Sequence, residues 1–228
     1  MAEVDEHRAE QRSGEGRSYH HGDLPNALRS AALELIEEVG PTAFSLREVA
    51  RRAGVSHAAP AHHFGDKAGL LTSIATEGFE LLSEVMSDVV AAHDDPIERF
   101  VAQGEAYVRM ARTNRAHFAV MWQDDIHHHD DPAFDAAGLG AFQCLVETIE
   151  AIAAAYDPDL DVRAASMMAW SLSQGLSELT DAIDSVDEKY ADDLPSAATA
   201  TPDDELVEAV LRLSIRGLVP GLGTDDPA

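Results

Sequence analysis

The stretch Ser45–Lys67, SLREVARRAGVSHAAPAHHFGDK, decides how the rest of this chain is read. Ser45 and Glu48 stand at the S-x-x-E spacing of a capping box, which opens a helix by satisfying two of its free amides. Leu46, Val49 and Ala50 then put apolar and small groups on one face. Gly54 can take positive φ at no steric cost and ends that helix sharply. Val55 reads as a buried anchor and Ser56 as the N-cap of a second helix. Ala50 and Gly54, four apart, would let the two helix backbones cross closely. A third helix starts at Lys67. Two short helices around a tight turn form a helix-turn-helix, whose second member enters the DNA major groove.

Working outward, residues 1–17 are polar and pattern-free and are expected to be a disordered arm. A helix from Leu24 to Val39, capped by Asp23 and ended by Gly40, carries Leu28, Ala32, Leu35 and Val39 as its core stripe. Residues 18–66 then form a three-helix DNA-binding domain, and 67–92 a linker helix. Residues 93–228 form a second helical domain. In it, Asp95-Pro96, Asp131-Pro132, Asp157-Pro158 and Thr201-Pro202 each place a capping oxygen before a proline at the first helical position. Helices are expected near 96–112, 115–122, 132–155, 158–185 and 202–217, with one long loop at Asp187–Ala200. The fold class is all-α: a helix-turn-helix domain followed by a helical bundle for ligand binding and dimerisation.

Composition agrees. Alanine is abundant, aromatics are few, and no window alternates apolar and polar as a half-buried strand would. The single Cys144 excludes an internal disulfide and suits a reducing cytoplasm, the expected location. Neither a secretory signal nor an apolar run of bilayer-spanning length is expected, and no membrane partner. The net charge of −26 is unevenly placed. Residues 17–67 hold six basic and six acidic side chains, whereas 68–228 hold eight basic and 31 acidic. The end that must approach phosphate is neutral, and the acidity lies elsewhere as a solvated surface.

Residues from about Tyr19 to Leu82 resemble the DNA-binding domain of the TetR family of bacterial transcriptional regulators. The likeness rests on Gly54, Val55, Ser56, His63 and Phe64, on Asp66, Lys67, Leu70 and Leu71, and on the amphipathic helix before them. The YHHGDL opening (Tyr19 to Leu24) and the HAAP run (His57 to Pro60) resemble one branch, whose C-terminal domain carries W-x-x-x-H-G. The resemblance implies DNA contacts from Ser45, Arg47, Ser56, His57, Ala58, Ala61, His62, His63 and Lys67. Arg47 can reach a guanine edge bidentately, and the alanines can meet thymine methyls. Lys67, in a helix first turn, opposes the helix dipole, which makes sense if a phosphate is the third party. Ala61 replaces the family's usual Tyr, and His62 an Arg common in the branch, leaving histidines as the dominant polar groups. Tyr19, His20 and His21 lie where an arm could reach a neighbouring phosphate or instead pack on the bundle.

Residues 83–228 resemble the variable ligand-binding half of the family more loosely. Trp170 to Gly175 matches W-x-x-x-H-G except that Gln174 replaces His. Candidate pocket residues are Phe79, Met86, Phe100, Tyr107, Phe118, Met121, Trp122, Phe142, Met167, Trp170 and Gln174, a set equally able to form an ordinary core. Val162, Ala165, Ala169, Leu172, Leu176, Leu179 and Ile183 fall at alternating steps of three and four, a seam suited to a partner helix. The last helix shows two apolar faces, Leu206, Val210 and Leu213 against Val207 and Leu211, and a second face implies a partner. The expected dimer interface is Leu172, Leu176, Leu179, Leu206, Val210 and Leu213.

The resulting expectation is a homodimeric DNA-binding regulator, a repressor, released from a pseudo-palindromic operator by a small-molecule effector, with no cofactor. The competing reading is an all-α metal-dependent enzyme using Asp124–Asp131, DDIHHHDD, where Asp124 and His128 would share a face if the helix continued. That segment precedes a helix start and reads more simply as a loop. No H-E-x-x-H, G-x-S-x-G or phosphate loop supports an enzyme. A helical dimer acting only through protein contacts is the third reading. Because histidine neutralises phosphate only when protonated, operator affinity should strengthen as pH falls from about 8 to 6. Fluorescence anisotropy across that range, flat with pH, would refute the histidine-led contact.

Overall fold

The computed structural model describes residues 24–128, 130–190 and 204–219; of Asp124 and of Thr180–Tyr190 only the backbone is described. The expected arm 1–17, Tyr19, His20, His21, the Asp23 cap, His129, most of the long loop and the Thr201-Pro202 start lie outside these residues. Within them the chain is helical: α1 (Leu24–Val39), α2 (Leu46–Arg52), α3 (Ala59–Phe64), α4 (Lys67–Ala92), α5 (Pro96–Thr113), α6 (Arg115–Met121), α7 (Pro132–Tyr156), α8 (Val162–Tyr190) and α9 (Asp204–Leu218), with a 3-10 turn at Asp124–Ile126.

Local chemistry explains most boundaries. Asp95 Oδ1 accepts from the amides of Ile97 and Glu98 at 2.8 and 2.9 Å ahead of α5, and Asp131 Oδ1 does the same for α7 from Ala133 and Phe134 at 2.9 and 3.3 Å. The third expected Asp-Pro start is displaced. Asp157-Pro158 builds a turn closed by Leu160 N–H to the Asp157 carbonyl at 3.0 Å, and Asp161 caps α8 through Ala164 N–H at 3.0 Å. Proline favours the second position of such a turn as much as the first turn of a helix, so the pair alone does not choose.

Helix α4 is common to two packing regions. Its first half, Leu70, Leu71 and Ile74, packs with Leu28, Leu35 and Val49 of α1 and α2; its second half, Phe79, Leu82 and Met86, packs with Tyr107, Val120 and Met121 of α5 and α6. These belong to one continuous buried cluster, so no break in packing marks the expected boundary at residue 66. A second cluster joins α5, α7, α8 and α9 through Phe100, Val108, Ile149, Ile152, Ala165, Ala169, Leu176, Val207 and Leu211. The three-four seam of α8 is therefore largely internal. Leu176 is buried in the chain's own core, which corrects its assignment to a partner surface, and Leu172 is half-buried at the edge of that core. Leu179, by contrast, is 52% exposed. In α9, Val207, Leu211 and Ile215 turn inward while Leu206 and Leu213 are 44% and 66% exposed, and Val210 is intermediate.

Alanine-rich α7 reaches a mean hydropathy of 1.3 over an 18-residue window, so by length and composition it could span a bilayer, contrary to the expectation that no run would qualify. Here it lies along α4, α5 and α8 as a layer of the bundle.

Two glycines set the joints of the N-terminal half. Gly54 has φ +67°, and Val55 N–H to Ala50 carbonyl (3.0 Å) with Gly54 N–H to Arg51 carbonyl (3.3 Å) closes α2 in a Schellman motif. Nothing crowds Gly54, so it serves the turn and not a close helix crossing. Gly69 is the opposite case: a Cβ there would overlap the Phe64 carbonyl. Gly69→Ala should cost about 1–3 kcal/mol by forcing α3 off the start of α4. Gly54→Ala should cost about 1 kcal/mol through backbone strain alone. Urea unfolding monitored by circular dichroism measures both, and equal stability of Gly69→Ala and the parent would refute the close approach.

Candidate nucleic-acid interface and interior cavity

The expected second motif helix begins two residues later than its sequence suggests, with the cap at Ala58 instead of Ser56. With Ser56 as N-cap the first helical bond would run from residue 60 to the Ser56 carbonyl, and Pro60 has no N–H. Ala59 N–H instead closes a turn on Ser56 at 3.0 Å, and the first bond of α3 is His62 N–H to the Ala58 carbonyl at 3.0 Å. Ala58 is the cap and contributes no side-chain bond. Ser56, His57 and Ala58 are exposed on the entry turn; Ala61, His62 and His63 are exposed on α3. Pro60 is buried and Phe64 half-buried, so the helix sits on one side and leaves the other uncovered by its own chain. The His62 and His63 rings lie edge to face at 5.3 Å.

On α2 the Ser45 hydroxyl accepts from Glu48 N–H at 3.3 Å, but Glu48 does not reach back. Its carboxylate takes Arg51 instead, at 3.0 and 2.6 Å, half of the capping box being replaced by an ion pair. Arg52 ties α2 to α1 through Glu38, with two contacts of 2.8 Å. These partners hold Glu38 and Glu48 below the ordinary glutamate value, hydrogen bonding from Arg52 and Arg51 being the main cause. Arg47 is exposed beside the exposed Ser45.

Lys67 corrects a sequence expectation. Its ammonium donates to the carbonyls of Thr42 (2.7 Å) and Phe44 (2.9 Å) and stands 4.2 Å from the centre of the Phe44 ring. It is a strut binding the start of α4 to the α1–α2 loop, and burial pushes its pKa down. The unfavourable position against the helix dipole is offset by these carbonyls, with no need of a phosphate. One of its three N–H donors remains for other use.

Next to it Asp66 caps α4 through Gly69 N–H at 2.9 Å and also accepts His128 Nε2 at 2.9 Å. His128 N–H in turn donates to Thr72 Oγ1 at 2.9 Å. The DDIHHHDD segment is thus a clasp on the first turns of α4. His127 is buried against Phe134, ring centres 5.0 Å apart, while His128 points to Asp66. Among the described residues no three potential ligands gather for a metal. Gly69 N–H first, then His128, hold the Asp66 carboxyl below its usual range. A second link between the halves is half-buried: Arg29 Nε of α1 lies 3.0 Å from Glu77 Oε2 of α4, and His117 Nε2 of α6 lies 3.8 Å from the same oxygen. Burial lowers the His117 pKa, against an opposing pull from Glu77.

Between α4, α5, α7, α8 and α9 lies a cavity open to solvent on one side; the space among its walls, open solvent included, is about 540 Å³. Of the expected pocket residues, Phe79, Met86, Phe100, Tyr107, Trp122, Phe142 and Trp170 line it. Phe118 and Gln174 line a neighbouring, more polar cleft with Arg112, Arg115 and Glu178. Gln174 is nonetheless connected: it accepts the Tyr107 hydroxyl at 2.6 Å and donates to Glu178 at 2.8 Å, so it braces the cavity wall from outside. Burial drives the Tyr107 pKa up, which keeps that donor protonated. Two expectations are corrected. Met121 fills the core beside Gly78, and Met167 is 51% exposed on α8; neither lines the cavity. Gln103, Leu145, Ser173 and Leu211, which do line it, were missed. Leu145 and Leu211 carry no sequence signal distinct from core, and a lone Gln on an apolar helix face was the one available clue.

An exposed helix-turn-helix joined through a shared helix to a cavity-bearing bundle defines a DNA-binding transcription regulator, not an enzyme. Residues 28–74 match the family described as bacterial regulatory proteins, tetR family, and residues 100–183 match the tetracyclin repressor-like C-terminal domain. The chain belongs to the TetR family. It is 42% identical over 66 residues to the HTH-type transcriptional regulator BetI of Rhizobium meliloti (strain 1021), a match covering 29% of this chain and 31% of that relative. Among solved structures, a protein of unknown function from Rhodococcus sp. RHA1 is 29% identical, with TM-score 0.71 over 90% of this chain and 100% of that one. The TetR family transcriptional regulator PfmR from Thermus thermophilus has the same fold, with 23% identity and TM-score 0.62 over 84% and 98% of the two chains.

The clasp has a measurable energetic signature. Asp66 and His128 are 61% and 51% exposed, so their pair should contribute less than about 1 kcal/mol. The folded Asp66 pKa is lowered; its contribution is therefore complete above the unfolded value and fades as pH drops through the folded one. A double-mutant cycle of Asp66→Ala and His128→Ala by urea unfolding at about pH 6 should return a small favourable coupling, and strict additivity would refute the link.

Proposed function

We propose that this regulator is a homodimeric repressor that holds a pseudo-palindromic operator and lets it go when a small molecule fills the α4–α9 cavity. The continuity of α4 carries the reading. Its N-terminus seats α3 through Gly69 and Asp66, and Phe79, Leu82 and Met86 of the same helix line the cavity about 15–25 Å further on. A ligand wedged against those side chains shifts α4, and α3 moves with it. Two α3 helices about 34–36 Å apart read successive major grooves, and a change of that spacing lowers affinity for both half-sites. The ligand acts by binding one arrangement better than the other.

DNA contact falls to Ser45, Arg47, Ser56, His57, Ala58, Ala61, His62 and His63, with Lys67 as a positioning strut. Dimerisation is assigned to the outward side of α8 and α9, where Leu179, Leu206 and Leu213 present apolar surface beside the half-buried Leu172 and Val210, without Leu176. A cytoplasmic location follows from a DNA target.

The test is a titration of the DNA flanking the protein's own coding region, followed by anisotropy. Arg47→Ala should weaken specific binding by about 1–3 kcal/mol and relax base preference at one position of each half-site. Leu179→Glu with Leu213→Glu should convert a dimer to a monomer by sedimentation and abolish specific binding. A monomeric parent protein, or DNA binding undiminished in the double variant, would overturn the dimeric reading.

A further inference from the structure

The cavity's polar groups are few, and two of them lack partners. Gln103, only 2% exposed, donates its Nε2 to the Cys144 carbonyl at 3.2 Å but leaves Oε1 without a hydrogen bond. Trp122 leaves its Nε1–H without one. The other polar lining groups are engaged: the Ser173 hydroxyl donates to the Ala169 carbonyl at 3.0 Å, and Tyr107 to Gln174 at 2.6 Å. A buried amide oxygen and a buried indole N–H left unmet are costly, and a native fold keeps such groups where something else meets them.

Charge narrows the choice. In a chain with 42 acidic and 16 basic side chains, not one Asp, Glu, Lys, Arg or His among the described residues lines this cavity. An ionised ligand would be desolvated with no counter-charge to meet it. The walls are aromatic: Phe142 stands 4.8 Å from Trp170, Trp170 5.3 Å from Trp122, and Trp122 5.1 Å from Phe79, ring centre to ring centre.

We propose that the α4–α9 cavity takes a neutral, largely apolar molecule bearing a hydroxyl, of the phenol or alcohol class, whose hydroxyl is met by Gln103 and Trp122. A hydroxyl both donates and accepts, so it carries the donor that the free Oε1 wants and the acceptor that the free N–H wants. Its role as effector rests on the function proposed above; the chemistry of the site does not.

The chain has two tryptophans, Trp122 and Trp170, and both line the cavity, so intrinsic fluorescence of the full-length protein reads occupancy directly. The probes are 4-butylphenol, butylbenzene, 4-butylbenzoate and 4-butylbenzylammonium, alike in size and different in polar group. 4-Butylphenol should give a saturable one-to-one change, with the two ions at least about tenfold weaker. Gln103→Leu should weaken 4-butylphenol about threefold to tenfold without weakening butylbenzene, and Trp122→Phe, read through Trp170, should do the same. Unchanged circular dichroism melting qualifies each variant. An ion binding within about threefold of 4-butylphenol overturns the proposal. So does an unaltered preference for the phenol over butylbenzene in both variants, or no saturable change with any of the four. Operator anisotropy with the same probes separates the two readings. Binding of 4-butylphenol with operator affinity unchanged removes the effector role and leaves the site chemistry standing; operator release by an ion alone does the reverse.

Discussion

The contact of Gly69 with the Phe64 carbonyl governs this molecule. It brings the end of the DNA-facing helix onto the first turn of α4 at a distance no side chain would allow. Asp66 caps that turn and Lys67 straps it to the α1–α2 loop, so a six-residue helix, too short to be stable alone, is held in place from behind.

The links between the halves differ in strength. The exposed Asp66–His128 pair can be exchanged for water at little cost, whereas Arg29 and His117 approach one Glu77 carboxylate oxygen that is itself shielded from solvent.

Several readings made from the residues alone missed because one local signal had two outcomes. An Asp-Pro pair starts a helix at 95–96 and 131–132 but forms a turn at 157–158. Ser56 is well placed to cap, yet Pro60 removes the amide whose bond would start the helix there. Lys67 opposes its helix dipole for the sake of two carbonyls from a loop 23 to 25 residues away in sequence. The α8 seam, legible as a partner surface, is mostly internal because a chain packing on itself and a chain packing on its copy want the same spacing of apolar groups.

The amino-acid sequence determined the all-α class, the turn at Gly54, the exposed run from Ser56 to His63 and most of the aromatic cavity wall, since capping, φ preference and helical periodicity act over a few residues. Only the tertiary structure decided which face of α8 is core, that His128 clasps α4 through Asp66, and that Gln103 and Trp122 are left without partners around an uncharged space. Those outcomes rest on contacts between groups 41 to 67 residues apart, and no local pattern encodes which side chain a folded neighbour will satisfy.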